Sequence, residues 1–90
     1  MTEKKVVVPN KLGIHARPAA LIVRAAVEFA CDIWVESPAD KVNAKSIMGV
    51  MTLAASGGTE IVVSADGSDE VEAVEAVAEV IRSGFGEEMI

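Results

Sequence analysis

The sequence predicts an α+β fold, an open-faced β-sandwich in which a four-stranded, mainly antiparallel sheet is covered on one face by three helices. Three observations carry this reading. Short β-branched runs occur at four places, bounded by turn residues. Three other stretches repeat their apolar residues at helical spacing. The resulting order, β-α-β-β-α-β-α, fills 90 residues with short connections and leaves room for a single domain over residues 1–90.

Lys4 to Val8 reads as the first strand, and Pro9-Asn10-Lys11-Leu12-Gly13 as a loop with turn chemistry. The first helix runs from His15 to Glu28. Pro18 falls in its first turn, where a missing N–H has no consequence. Leu21, Ile22, Ala25 and Phe29 recur at helical spacing and are expected on the core face. Asp32 to Ser37 is the second strand, and Pro38-Ala39-Asp40 turns the chain into a short third strand, Lys41 to Asn43. Ser46 is a favoured N-cap and opens a short amphipathic helix that includes Ile47, Val50, Met51 and Leu53. Ser56-Gly57-Gly58 breaks it. Glu60 to Ala65 is the fourth strand. Asp69 and Glu72 have capping-box spacing for the last helix, whose apolar stripe is Val71, Val74, Val77, Ala78 and Ile81. Gly84 and Gly86 end it, and Glu87-Glu88-Met89-Ile90 is expected to be a frayed tail.

Composition limits the function. The chain is 51% hydrophobic but only 3% aromatic, so the core must be aliphatic, with Trp34, Phe29 and Phe85 as its few large pieces. No apolar stretch approaches the roughly 20 residues that span a bilayer, which argues against membrane insertion. No secretory segment is expected at the N-terminus, because Pro9, Asn10 and Lys11 cut short the Val6-Val7-Val8 run. The one cysteine, Cys31, cannot form an internal disulfide, which favours a reducing, cytoplasmic compartment. A net charge of −6 argues against nucleic acid. The charge is uneven: seven of the eight basic residues lie in residues 1–45, against nine acids and one base in residues 46–90. A weakly basic first half suits an acidic partner or an anionic group.

The only histidine, His15, stands directly before the first helix, within Gly13-Ile14-His15-Ala16-Arg17-Pro18. A helix N-terminus offers unpaired N–H groups and a partial positive charge that favours anions and disfavours an imidazolium. A neutral imidazole nitrogen there is a nucleophile. The N–H groups of Ala16 and Arg17 suit phosphoryl oxygens, and the Arg17 guanidinium can neutralise charge during transfer. One Cys and one His, with no paired spacing, do not make a metal site, and Asp66-Gly67-Ser68-Asp69 lacks the ligand spacing of a calcium loop.

Gly13-Ile14-His15-Ala16-Arg17-Pro18-Ala19-Ala20 closely resembles the active-site segment of the histidine-containing phosphocarrier (HPr) family of the bacterial phosphoenolpyruvate-dependent phosphotransferase system. Asn43-Ala44-Lys45-Ser46-Ile47-Met48-Gly49-Val50-Met51 resembles that family's second signature. Chain length and element order agree, so the resemblance covers nearly the whole chain. It implies a carrier rather than an enzyme, with no cofactor, usually monomeric. His15 would accept a phosphoryl group on Nδ1 from phosphorylated enzyme I and pass it to IIA domains of sugar permeases, assisted by Arg17. Ser46 would be the target of an HPr kinase/phosphorylase, with transcriptional regulators among further partners. Ala16, Ala20 and Arg24 of the first helix and Ile47, Met48 and Met51 of the second would form a shared docking surface, the methionines adapting to several partners. The chain departs from the family pattern at Ala54, where a glycine usually follows the short helix.

Two other readings compete. One is a mainly regulatory HPr-like protein in a host with few or no sugar permeases, acting through Ser46. The other is a ferredoxin-like module for a metal or small molecule, which leaves Arg17-Pro18 after the sole histidine without a purpose.

Overall fold

The computed structural model describes all of residues 1–90. The elements are β1 (Thr2–Val7), α1 (Ala16–Ala26), β2 (Asp32–Glu36), β3 (Lys41–Asn43), α2 (Ile47–Thr52), β4 (Glu60–Asp66), α3 (Glu70–Arg82) and a final 3-10 turn (Gly84–Gly86). The strands form one sheet in the order β1-β4-β2-β3, and each neighbouring pair is antiparallel. Flanking β4 on its two sides, β1 and β2 run parallel to each other and need a crossover, which α1 supplies. The fold is therefore the α+β open-faced sandwich that the pattern predicts.

Alternation sorts the sheet into two faces. Ile33 and Val35 of β2 and Ile61, Val63 and Ala65 of β4 are buried on the covered face. Ala73, Val74, Val77, Ala78 and Ile81 of α3 pack over β1 and β4, and α1 packs against α3 and α2. One cluster of 22 buried residues results. Each fully buried Val or Ile contributes about 1.5–3 kcal/mol of transfer free energy. Of the three aromatics only Phe85 is fully in the core. Phe29 packs at its edge, and Trp34 alternates to the other face, where the Lys41 ammonium lies 5.4 Å from its ring centre.

The buried face of α1 is Pro18, Ala19, Ile22, Val23 and Ala26, and Leu21, Ala25 and Phe29 lie at its margin, partly buried. The predicted stripe is rotated because the run from Ala19 to Val23 is apolar throughout and marks no single face. In α3, Val71 is 58% exposed and Ala73 takes its place. Asp69 is the N-cap residue of α3, but its side chain makes no cap bond. Its carboxylate accepts the N–H groups of Ala30 (2.9 Å) and Cys31 (3.1 Å), tying the start of α3 to the turn before β2. Cys31 is buried, and desolvation, with Asp69 adding, pushes its thiol up to about 11, so it stays protonated.

Residues 87–90 are not a frayed tail. Lys11 N–H donates to Glu88 O (2.9 Å), Ile90 N–H donates to Pro9 O (2.8 Å), and Asn10 bridges with Met89. The segment has no pattern of its own because its bonding partners lie in the loop after β1.

Ala54, just past the C-cap Leu53 of α2, has φ +49°. This left-handed conformation explains why a glycine suits the position, since a Cβ there costs about 1–2 kcal/mol. Ala54→Gly is expected to raise the unfolding midpoint, the strain relief being partly offset by the greater freedom of glycine in the unfolded chain; thermal denaturation checks it.

The start of β1 is held to α3 through Glu70, whose carboxylate accepts from the Thr2 hydroxyl (2.5 Å) and the Gly67 N–H (3.2 Å) and lies 3.1 Å from the Met1 amine. These contacts, the Thr2 hydroxyl first, lower its pKa from 4.5 to about 2. A carboxyl depressed on folding contributes stability that is present above its unfolded value and lost as pH falls through its folded one. The stability gap between the wild type and Glu70→Ala is therefore expected to be full at pH 6 and to close between about 4.5 and about 2, as denaturant unfolding across that range would show.

Candidate functional site

The topology gathers four segments at one end of the sandwich: the loop leaving β1, the N-terminus of α1, the loop between α2 and β4, and the chain leaving α3. Gly13 makes the close approach possible. Its φ is +72°, and a Cβ on it would lie 2.1 Å from Ala55 O and 2.7 Å from Ser56 Cα. The next residue, Ile14, is buried, and its N–H donates to Ala55 O at 2.8 Å. The backbone feeding His15 is thus pinned to the loop that precedes β4.

His15 is the N-cap of α1 rather than its first helical residue, with extended backbone and no side-chain cap bond. Its carbonyl takes the first helical bond, from Ala19 N–H (2.9 Å), so the N–H groups of Ala16 and Arg17 lie ahead of the helical ladder. The imidazole is 40% exposed. Nε2 lies 2.8 and 3.0 Å from the two carboxylate oxygens of Glu87, while Nδ1 has no partner in the chain.

Arg17 turns towards the same tail. Its Nη1 donates to Phe85 O (2.6 Å) and lies 3.5 Å from Glu87 Oε2. Phe85 has φ +60° between two glycines that are also left-handed, Gly84 and Gly86. This tight bend turns the Phe85 carbonyl outward and brings Glu87 under the histidine. Glu87 is in turn gripped by Asn10, which is fully buried; its Nδ2 donates to Glu87 Oε1 (2.9 Å) and to Gly13 O (2.8 Å). The His15 bond holds the Glu87 carboxyl below the usual carboxylate range, with Asn10 and Arg17 acting in the same direction.

The structure thus joins His15 and Arg17 through a residue that pattern reading assigned to a frayed end. The bend was signalled by Gly84-Phe85-Gly86, two glycines around a large apolar residue. Nothing local tells that Glu87, rather than Glu88, returns to the histidine.

Ser46 caps α2, its hydroxyl accepting the Gly49 N–H at 3.1 Å. The residues before it are structural. Asn43 Oδ1 accepts the Lys45 N–H (2.8 Å), Ala44 is fully buried, and Lys45 Nζ reaches the Phe29 carbonyl (2.7 Å) beyond the end of α1. Ser46 makes no bond with His15 or Arg17. Ile47, Met48 and Met51 are exposed (46%, 79% and 44%), so neither methionine belongs to the core. On α1, Ala16 and Arg24 are exposed and Ala20 is half-buried. Leu12, which pattern reading left in a loop, is 74% exposed and adds an apolar group near His15 in the chain. No three His, Cys, Asp or Glu side chains gather as metal ligands, and no helix is long and apolar enough to cross a membrane.

A family model described as the phosphorylation site of the phosphotransferase-system HPr component matches residues 2–83. The HPr-like protein Crh of Bacillus subtilis is 50% identical over 82 residues, spanning 91% of this chain and 96% of that one. The phosphocarrier protein HPr of Treponema pallidum is 48% identical over 88 residues, 98% of this chain and all of the other. The crystal structure of HPr from Thermoanaerobacter tengcongensis superposes with a TM-score of 0.91 at 52% identity, covering 99% of this chain and 100% of that one. With the fold, the helix-capping histidine and its arginine in place, the chain belongs to the HPr family of the phosphotransferase system.

Proposed function

We propose that this protein is a cytoplasmic phosphocarrier in phosphotransferase sugar uptake, taking a phosphoryl group onto His15 Nδ1 from phosphorylated enzyme I and passing it to IIA domains of sugar permeases. The observation that carries this reading is the unpartnered Nδ1 of a half-exposed imidazole at a helix N-terminus. The free N–H groups of Ala16 and Arg17 suit the phosphoryl oxygens, and the partial charge of the helix end favours them. Arg17 is half-exposed and lightly tethered, so its guanidinium can swing from the Phe85 carbonyl to the phosphoryl group. The chain is a carrier and not an enzyme in this scheme: it relays the group through a labile P–N bond and leaves activation to its partners. One chain holds the whole site, so a monomer suffices.

Donor and recipient approach the same nitrogen and therefore share one surface, formed by Ala16, Ala20 and Arg24 with Ile47, Met48 and Met51. Ser46 stands at the head of the second helix of that surface, which supports a regulatory role alongside the relay. Phosphate there adds about −1.5 to −2 charge to the docking face and repels an acidic partner. The 50% identity to an HPr-like protein named Crh is a further reason to weigh this second role.

Incubation with phosphoenolpyruvate, magnesium and the cognate enzyme I is expected to add one acid-labile phosphoryl group by intact mass, absent in His15→Ala. No incorporation into the wild type would sink the relay. An HPr kinase from the same host is expected to add an acid-stable phosphate that is lost in Ser46→Ala, and the doubly treated protein should accept from enzyme I more slowly. Ser46→Ala should also lose about 1 kcal/mol of stability through its cap, measured by denaturant unfolding.

A further inference from the structure

We propose that the free edge of β1 is a self-association surface: two copies of this chain pair their first strands antiparallel about a two-fold axis at Lys4, so that Glu3 of each copy faces Lys5 of the other. The inference stands apart from the relay reading and does not depend on it.

β1 closes one side of the sheet, with β4 as its single neighbour. Val8 N–H donates to Thr59 O (2.9 Å) and Val8 O accepts from Gly58 N–H (2.8 Å), so Val8 turns its backbone groups to the β4 side. Alternation gives Val6, Lys4 and Thr2 the same direction and points the N–H and C=O groups of Glu3, Lys5 and Val7 away from the sheet. No loop takes them up. An edge of this kind is a template for another strand. The opposite edge, β3, is only 3 residues long against 6 for β1.

The side chains select the partner. On the open face of the sheet the strand presents Met1, Glu3, Lys5 and Val7 in turn: apolar, acid, base, apolar. That order matches itself when the chain is reversed. About an axis at Lys4, Glu3 meets Lys5 and Met1 meets Val7 in both directions, as a two-fold contact requires. Met1 and Val7 are 69% and 49% exposed, and neither Glu3 nor Lys5 has an ion-pair partner within the chain. The facing residues are also those with outward backbone groups, so Glu3 and Lys5 exchange both N–H···O bonds. Moving the axis to Lys5 would set Lys5 against Lys5 and Glu3 against Val7, so charge fixes the register. On the covered face Lys4 stands opposite its own copy, but each Lys4 is bound to Glu75 at 2.7 Å and the charges at the axis balance. Val71, one turn before Glu75 on the same side of α3, is the exposed valine of that helix, and pairing brings it against the second α3. From the axis β1 runs towards His15, in opposite directions in the two copies, so both histidines stay open.

A contact of one strand and one helix belongs to the weak class of interfaces, below about 1,200 Å², so the test runs from micromolar to millimolar chain. Sedimentation is read for the full chain as wild type, Glu3→Lys, Lys5→Glu and the two reversals combined, each first shown to melt cooperatively. The wild-type mass is expected to rise with concentration from 9.4 kDa towards twice that, less so at high salt. Over the same range the amides of Glu3, Lys5 and Val7 should gain protection from hydrogen exchange. Each single reversal places like charges at both facing positions and should stay at 9.4 kDa throughout, and the combined reversal should restore the dimer. A wild type that remains monomeric at millimolar concentration overturns the proposal. So does a dimer indifferent to the single reversals, as exchange of whole β1 strands between copies would be, or one that the combined reversal fails to restore.

Discussion

The constraint on which the rest depends is that an aliphatic sheet with a single apolar face has to be covered. β4 lies between β1 and β2, and Ile61, Val63 and Ala65 place three buried side chains on that face. With only 3% aromatic residues, the cover must come from many close aliphatic contacts, and two helices are needed to supply them. Because β1 and β2 are parallel, α1 has to return along the sheet to connect them, so it begins at the end where β1 stops. α3 follows β4 and runs back towards that end. The meeting of the α1 N-terminus with the chain leaving α3 is thus a consequence of covering the sheet.

Chemistry is placed where that geometry makes it cheapest. The α1 N-terminus needs a residue at its cap, and His15 occupies the position without using its side chain to cap. The electrostatics come from opposing sources. The helix end favours an anion near the ring, while Glu87 favours positive charge on it. An acceptor that must gain and lose a phosphoryl group without retaining it is well served by such a balance, since neither state is held strongly. The second helix repeats the device in simpler form: Ser46 does cap, and its helix turns Ile47, Met48 and Met51 outward.

Strain is confined to the same end of the molecule. Phe85 and Ala54 are the two non-glycine residues with positive φ, one in the bend that delivers Glu87 and the other in the chain leaving α2 towards the Ala55 carbonyl that holds Ile14. Backbone held in such conformations is sustained by surrounding contacts, here the burial of Phe85 and the hydrogen bonds of the loop.

Sequence alone determined the element types and their order, because apolar periodicity, turn residues and the Ser46 cap are local signals. It also brought forward the pair proposed to carry the phosphoryl group, since His15 is the only histidine and Arg17-Pro18 follows it. Tertiary structure decided what local patterns cannot hold. The buried face of α1 was ambiguous in an unbroken apolar run and was settled by its packing on α3 and α2. Asp69 has capping spacing but spends its carboxylate on Ala30 and Cys31, distant in sequence. Above all, Glu87 reaches His15 across 72 positions, and Asn10 reaches Glu87 across 77. A tail of four residues, two acidic and two apolar, is too short to carry a periodicity, so nothing in its own residues distinguishes a frayed end from one whose hydrogen-bond partners are waiting at the other end of the chain.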